Sequence, residues 1–241
     1  MEPEVLAKLL REHFDHAYVI NLPERTDRRR EVSQQLARVG LAFDDGFVKR
    51  FDACKVDELA GFSSLGHRGC FTSHRDVLRH ASAAGYERVW VLEDDCDFSR
   101  SFAEDVGPVL SALAATNWSH VRLGHYEHPT GGPGIQRIEP GRNLIATHCI
   151  AWRGKPVLDA AADFLDLLMS RPPGHPDGGP MPIDGAFNTL IAQRPDLEAF
   201  MAVPTLGIQR SSRSDITVSR WFDKVPVLRD LAGTARSLLK R

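Results

Sequence analysis

Four acids crowd into one short stretch, RVWVLEDDCD at residues 88–97: Glu93, Asp94 and Asp95 in succession, then Asp97. An apolar run, residues 89–92, leads into them. Carboxylates this close repel one another unless a positive charge sits among them. A hard divalent cation is the natural partner for carboxylate oxygen. Mg²⁺ in particular keeps several waters and is completed by substrate phosphates. The stretch therefore points to a metal held by one or two of these acids together with a diphosphate. The plainer reading is a solvated acidic loop, or a helix start that favours negative charge. The uninterrupted apolar run decides for the metal. It reads as a central buried strand, and ligands bind at the carboxyl ends of such strands.

The elements around the cluster must supply that sheet. Residues 17–22 read as a first buried strand, ended by Pro23. Residues 25–39 follow as a helix with Val32, Leu36 and Val39 on one stripe and Gly40 as its cap. Residues 47–53 are a second candidate strand. Gly69 opens the next helix, where Cys70, His74, Val77 and Ala81 share a face, and Gly85 ends it. A helix over 102–115 and a strand over 120–123 come after the acids. This alternation predicts an α/β fold with a central, mostly parallel sheet flanked by helices. The second half is less regular. Residues 128–143 and 171–182 are Gly/Pro loops. Between and beyond them lie a strand at 143–152, helices at 157–169 and 184–192, and a strand at 199–203.

Bulk properties exclude several classes. The 241 residues suffice for a core without disulfides, and the formal net charge of −2 lacks the basic excess of a nucleic-acid binder. The four cysteines form no C-x-x-C pair, so no zinc or redox motif is spelled out and buried free thiols are expected. The amino terminus lacks a basic region followed by a long apolar one, and no run approaches the ~20 apolar residues of a membrane span. A cytoplasmic protein is expected, with contact at the inner face of the cytoplasmic membrane left open.

Two chemistries place acids after such a strand. GT-A-type glycosyltransferases hold the metal of a nucleotide sugar there. Haloacid-dehalogenase-type phosphatases carry D-x-D there, which Asp95 and Asp97 match locally. In those phosphatases the strand comes first in the core and a second acidic motif lies downstream. Here other elements precede it, and no later strand ends in a comparable motif.

Several stretches, taken in order, resemble glycosyltransferase family 25, the lipopolysaccharide and lipooligosaccharide glycosyltransferases with the collagen galactosyltransferases as relatives. They are YVINLPERTDRR (18–29), GHRGCFTSHRDVLRH (66–80), VWVLEDD (89–95), THCIAW (147–152), PIDGAFN (182–188) and VPTLGIQRSSRSDI (203–216). The resemblance implies a GT-A-type fold, a nucleotide-sugar donor, Mn²⁺ or Mg²⁺, and transfer with inversion. UDP-galactose is the commonest donor in the family, and the implied acceptor is a glycan, most often on lipid A-core. One domain is then expected, with a nucleotide-binding half at about 17–125, an acceptor-side half at about 126–216 and a basic helical tail at 217–241.

Within that frame each candidate has a role and a plainer alternative. Asn21 is placed on base or ribose, and Arg25 or Arg28 on phosphate, which the guanidinium fork suits. The alternative is a solvated cationic helix start. Ser73 and His74, at a helix opening, are placed on the nucleotide side; the alternative for His74 is a hydrogen-bonded core histidine. Alternation points Glu93 and Asp95 one way and Asp94 the other. Asp95 is the first metal ligand, Asp94 a second ligand or a ribose contact, and His148 a later ligand or a structural histidine. Asp97 reads as a capping or solvated acid. Inversion needs a general base for the acceptor hydroxyl. Asp184 is the first choice and Asp215 the second, and either is also a plausible helix cap. Gln209, Ser211 and Ser214 are candidates for donor phosphate or metal, or for turn chemistry. The tail from Arg220 carries a net charge of +4 beside Trp221 and Phe222. It suits an anionic leaflet and a lipid-linked acceptor, or a docked helix with a basic outer face. A catalytically silent nucleotide-sugar binder is the alternative from another class.

Overall fold

The computed structural model describes residues 1–210. Its elements are α1 (Pro3–His13), β1 (His16–Asn21), α2 (Thr26–Arg38), β2 (Val48–Asp52), α3 (Leu65–Ala83), β3 (Arg88–Glu93), β4 (Cys96–Phe98), α4 (Phe102–Ala114), β5 (His120–Arg122), β6 (Gly134–Arg137), β7 (Cys149–Arg153), α5 (Lys155–Ser170), α6 (Ile183–Gln193), β8 (Ala199–Val203) and β9 (Gly207–Gln209). The main sheet has the order β2-β1-β3-β7-β5-β8-β6. Five of its seven strands run in one direction, and β7 and β6 run against them. This is the expected α/β architecture with a mostly parallel central sheet. A separate pair joins β4 to β9.

Side-chain alternation divides the core between two faces. Ala17, Val19, Trp90 and Leu92 face a layer that includes Leu6 and Leu10 of α1, Val32 and Leu36 of α2, and Val106 to Leu113 of α4. Tyr18, Ile20, Val89 and Val91 face Val77 and Leu78 of α3, Leu158 and Leu165 of α5, and Phe187 of α6. Phe187 is the hub of that second layer. Its ring centroid lies 4.9 Å from Trp152 and 5.9 Å from both His74 and His120, and the Arg122 guanidinium stands 5.8 Å away over its face. Phe187→Ala is therefore expected to cost about 3–5 kcal/mol, measured by urea unfolding. A loss under 1 kcal/mol would mean that the layer closes over the gap.

Three expectations of local structure give way, and one element appears that the sequence reading did not assign. The helix containing Cys70 and His74 starts at Leu65, where the Ser64 hydroxyl accepts the His67 N–H at 3.1 Å. Gly69 is inside it, because a Cβ there would stand 2.6 Å from the Cys54 carbonyl oxygen. The strand expected from residue 143 begins at Cys149. Asn188 explains this: its side chain takes both the N–H and the carbonyl of Leu144 and so withdraws that backbone from the sheet. The Gly/Pro loop at 128–143 contains β6, which needs only one partner because it lies on the sheet edge. Finally, the amino-terminal segment forms α1, whose Leu6 and Leu10 are buried. The expected C-terminal helical tail lies outside the described residues.

Candidate active site

The carboxyl ends of β1 and β3 lie side by side, with Ile20 opposite Glu93. β7 runs antiparallel to β3 with Cys149 opposite Leu92, so the residues entering β7 reach the same sheet edge. The Glu93 N–H donates to the His148 carbonyl at 2.9 Å, and the Asp94 N–H to the Ile20 carbonyl at 3.1 Å. Beyond Glu93 the chain makes a turn through residues 94 and 95 before β4.

One positive charge among the acids belongs to the protein itself. Arg28 lies on the buried stripe of α2, four residues before Val32, and is 9 % exposed. Its Nη1 stands 2.9 Å from Asp94 and 3.4 Å from Asp95. The Asn21 amide donates to the other Asp94 oxygen at 2.7 Å. Both oxygens of Asp94 are thus held by protein donors, which makes it a fixed counter-ion and removes it as an open metal ligand. Arg28 is occupied by acids where a phosphate was expected, and Asn21 by Asp94 where a base or ribose was expected.

Asp95 differs from its neighbour. The Gln209 amide approaches Oδ2 at 3.4 Å, while Oδ1 is buried and has no hydrogen-bond partner among the described residues. Burial, then the charge of Glu93, pushes the Asp95 carboxyl above its ordinary range. Glu93 faces elsewhere. Its Oε1 accepts from Thr147 Oγ1 at 2.6 Å and lies 3.1 Å from His74 Nε2. Burial opposes its ionisation, but His74 and Thr147 outweigh that and hold its carboxyl below the ordinary range. The expected alternation fails here for a simple reason. The strand ends at Glu93, and the turn lets Asp94 and Asp95 share Arg28.

Ser73 and His74 lie two turns inside α3, away from the helix-end N–H groups. The Ser73 hydroxyl accepts the Cys54 N–H at 2.8 Å and donates to the Gly69 carbonyl at 2.6 Å, so Ser73 joins the β2 exit to α3. His74 serves Glu93. Arg25 forks onto Asp27 at 3.0 and 2.9 Å. Asp97 is neither a cap nor solvated: Arg210 embraces it at 2.5 and 3.3 Å. That ion pair takes Asp97 away from a D-x-D phosphatase pairing with Asp95. Ser211, Ser214 and Asp215 lie outside the described residues.

The opposite wall comes from α6. Asp184 is in the first turn, with Pro182 as the N-cap, and its Oδ2 accepts the Ala146 N–H at 3.4 Å. Ala146 has φ +81°, a strained value for a residue with a Cβ. Arg122 grips it from the other side, donating to its carbonyl and reaching Asn188 Oδ1 at 3.4 Å. Arg122 is fully buried, which lowers its pKa to about 10 even with Asp184 and Glu93 nearby. Tyr126 closes the ring by donating to Gln209 Oε1 at 2.5 Å. Its phenol is pushed up to about 12 by burial and by the charges of Asp95, Glu93 and Asp184. Asp184 and the acid cluster thus act on the same phenol. Sequence reasoning missed Tyr126, Thr147 and Arg122. Thr147 could have been found inside THCIAW; Arg122 and Tyr126 carried no local signal.

The expected ligand set Asp94, Asp95 and His148 is not assembled: among the described residues no such trio brings its ligand atoms within reach of one ion. His148 is fully buried and packed so tightly on Gly124 that a Cβ there would stand 2.4 Å from its Nε2. What remains is Asp95 Oδ1, a buried carboxylate oxygen with no partner among the described residues. One such oxygen suits a hard cation completed by substrate phosphates and waters, so the residues fit Mn²⁺ or Mg²⁺ at Asp95.

Comparison with known proteins adds an independent line. Residues 14–129 match the model of glycosyltransferase family 25 (LPS biosynthesis protein). The chain is 28 % identical to procollagen galactosyltransferase 1-B of Xenopus laevis over 58 % of its length and 26 % of that protein's. It is 26 % identical to the human inactive glycosyltransferase 25 family member 3 over 93 % of its length and 43 % of the relative's. The chain thus spans less than half the length of these relatives. A solved glycosyltransferase involved in the glycosylation of the major capsid of PBCV-1 is similar at 14 % identity over 64 % of this chain and 65 % of that one, with a TM-score of 0.37. A likeness of that size adds nothing to the assignment.

Proposed function

Residues 14–129 match the model of glycosyltransferase family 25, and on that premise we propose that this chain moves a sugar from a nucleotide-sugar donor to a glycan acceptor. UDP-galactose is the donor we assign, and a lipid-linked core glycan the acceptor class. The observation that carries the reading is the contrast between neighbours. Asp94 is locked by Arg28 and Asn21, while Asp95 keeps a buried oxygen without a partner among the described residues. A divalent cation at Asp95 would neutralise the diphosphate as it departs. The chain's own residues do the rest. Arg28 and Asn21 fix the turn that presents Asp95, and Gln209, held by Tyr126, orients its other oxygen. Asp184, on the facing wall, takes the proton of the acceptor hydroxyl, as inversion requires. It stands in the first turn of α6, at the helix end that favours negative charge.

The test is thermal stability with UDP, UDP-galactose or GDP, each with Mn²⁺ or with EDTA. At 100 times its dissociation constant a ligand adds about 2.7 kcal/mol. A Mn²⁺-dependent shift with the uridine nucleotides, absent from Asp95→Ala, is expected. No shift with any nucleotide would overturn the proposal. A second reading has one specific support, the similarity to a relative named inactive across 93 % of the chain. A silent binder would show the stability shift and yet release no UDP over many turnovers with acceptor glycans.

A further inference from the structure

We propose that Cys70, His74 and Glu93 form a binding site for a borderline-soft divalent cation of the Zn²⁺ class, distinct in its ligands from Asp95. The cysteine sulfur, an imidazole nitrogen and a carboxylate oxygen of these residues all lie within 4.8 Å of one another. With Zn–S near 2.3 Å and Zn–N near 2.0 Å, ligands in a tetrahedral shell stand roughly 3.5 Å apart. Small side-chain rotations close the difference.

The scaffold is rigid. Cys70 and His74 are four residues apart on α3, so they project from one face. Glu93 ends β3, and the Thr147 hydroxyl fixes its carboxylate at 2.6 Å. His74 is buried, whereas Cys70 and Glu93 are only partly so. Three protein ligands with one side open to the cleft leave a fourth position for water or another ligand. Burial, then the charges of Glu93, Asp95, Asp184 and Asp94, push the Cys70 thiol up, so without a cation it stays protonated; those same four acids attract a dication. The donor set is selective as well. Thiolate and imidazole favour Zn²⁺ or Co²⁺, whereas Mg²⁺ and Mn²⁺ prefer oxygen alone. On binding, the cation takes the place of the proton that His74 Nε2 shares with Glu93, and that proton and the Cys70 thiol proton both pass to solvent. Nothing in this depends on glycosyl transfer.

Titration of the full chain with Co²⁺ is the test, since a thiolate–cobalt bond gives a charge-transfer band. One Co²⁺ per chain, with a band that Zn²⁺ displaces, is expected. Cys70→Ser should abolish the band, and His74→Ala should weaken binding at least tenfold. Cys54→Ser, which alters another partly buried thiol, should leave it intact, and so should Asp95→Ala. The last variant separates this site from the donor site, because it should lose the UDP–Mn²⁺ shift and keep the cobalt band. Alkylation of wild-type Cys70, mapped by mass spectrometry with and without Zn²⁺, gives a readout that needs no variant; protection is expected. A wild type with no thiolate band, a band that survives Cys70→Ser, or alkylation that Zn²⁺ leaves unchanged would overturn the proposal.

Discussion

Replacing Arg28 with methionine should lower folding stability by about 3–5 kcal/mol, the cost of removing one partner from a buried ion pair. The side chains of Arg28 and Asp94 are 10 % and 9 % exposed, and Asp95 shares the same guanidinium nitrogen. Methionine fills much of the arginine's volume, so packing is nearly kept and the charge is what disappears. Asp94 and Asp95 would then stand beside Glu93 with the Asn21 and Gln209 amides as their side-chain donors among the described residues. Urea unfolding measures the loss. Arg30, exposed on the same helix, is the control, and Arg30→Met should stay within about 0.5 kcal/mol of wild type. If the two variants unfold alike, the acids are solvated after all and the account of the cluster fails.

Asp184→Asn should lower kcat about 10²- to 10⁴-fold, the range for loss of a positioned general base. Asparagine can still accept the Ala146 N–H that Asp184 Oδ2 receives. The fold and the donor shift with UDP and Mn²⁺ should therefore survive. Loss of a negative charge from the first turn of α6 costs about 0.3–1 kcal/mol, too little to explain a rate effect of that size. An intact KM for the donor with a collapsed kcat is the expected signature. A drop of less than threefold would relieve Asp184 of the role and move it to Asp215.

Much of the frame was legible in the sequence because it depends on neighbours along the chain. The apolar run at 89–92 made a central strand, the stripe Val32–Leu36–Val39 made a helix face, and Gly40 and Gly85 both adopt positive φ where helices end. The ordered motifs carried the resemblance to the family, which the match over residues 14–129 supports, since they need no geometry. Boundaries that failed did so through distant partners. Gly69 looks like a helix opening until Cys54 is seen pressed against it, and residues 143–148 look like a strand until Asn188 takes up Leu144.

The site itself divides along the same line. Sequence alone determined that four acids end a buried strand, that Arg28 begins a helix nearby, and that Asp184 opens another after a Gly/Pro loop. It could not say which charge meets which. Arg28 and Asp94 are 66 residues apart, Glu93 and Thr147 54, and Asp97 and Arg210 113. Those pairings follow from strand order and direction. β3 sits between a parallel β1 and an antiparallel β7, so the end of one strand and the start of another reach the same edge. A carboxylate's role depends on which donors surround it, and only the tertiary structure sets those. It locked Asp94, tied Glu93 to His74, paired Asp97 with Arg210, and left one oxygen of Asp95 without a donor among the described residues.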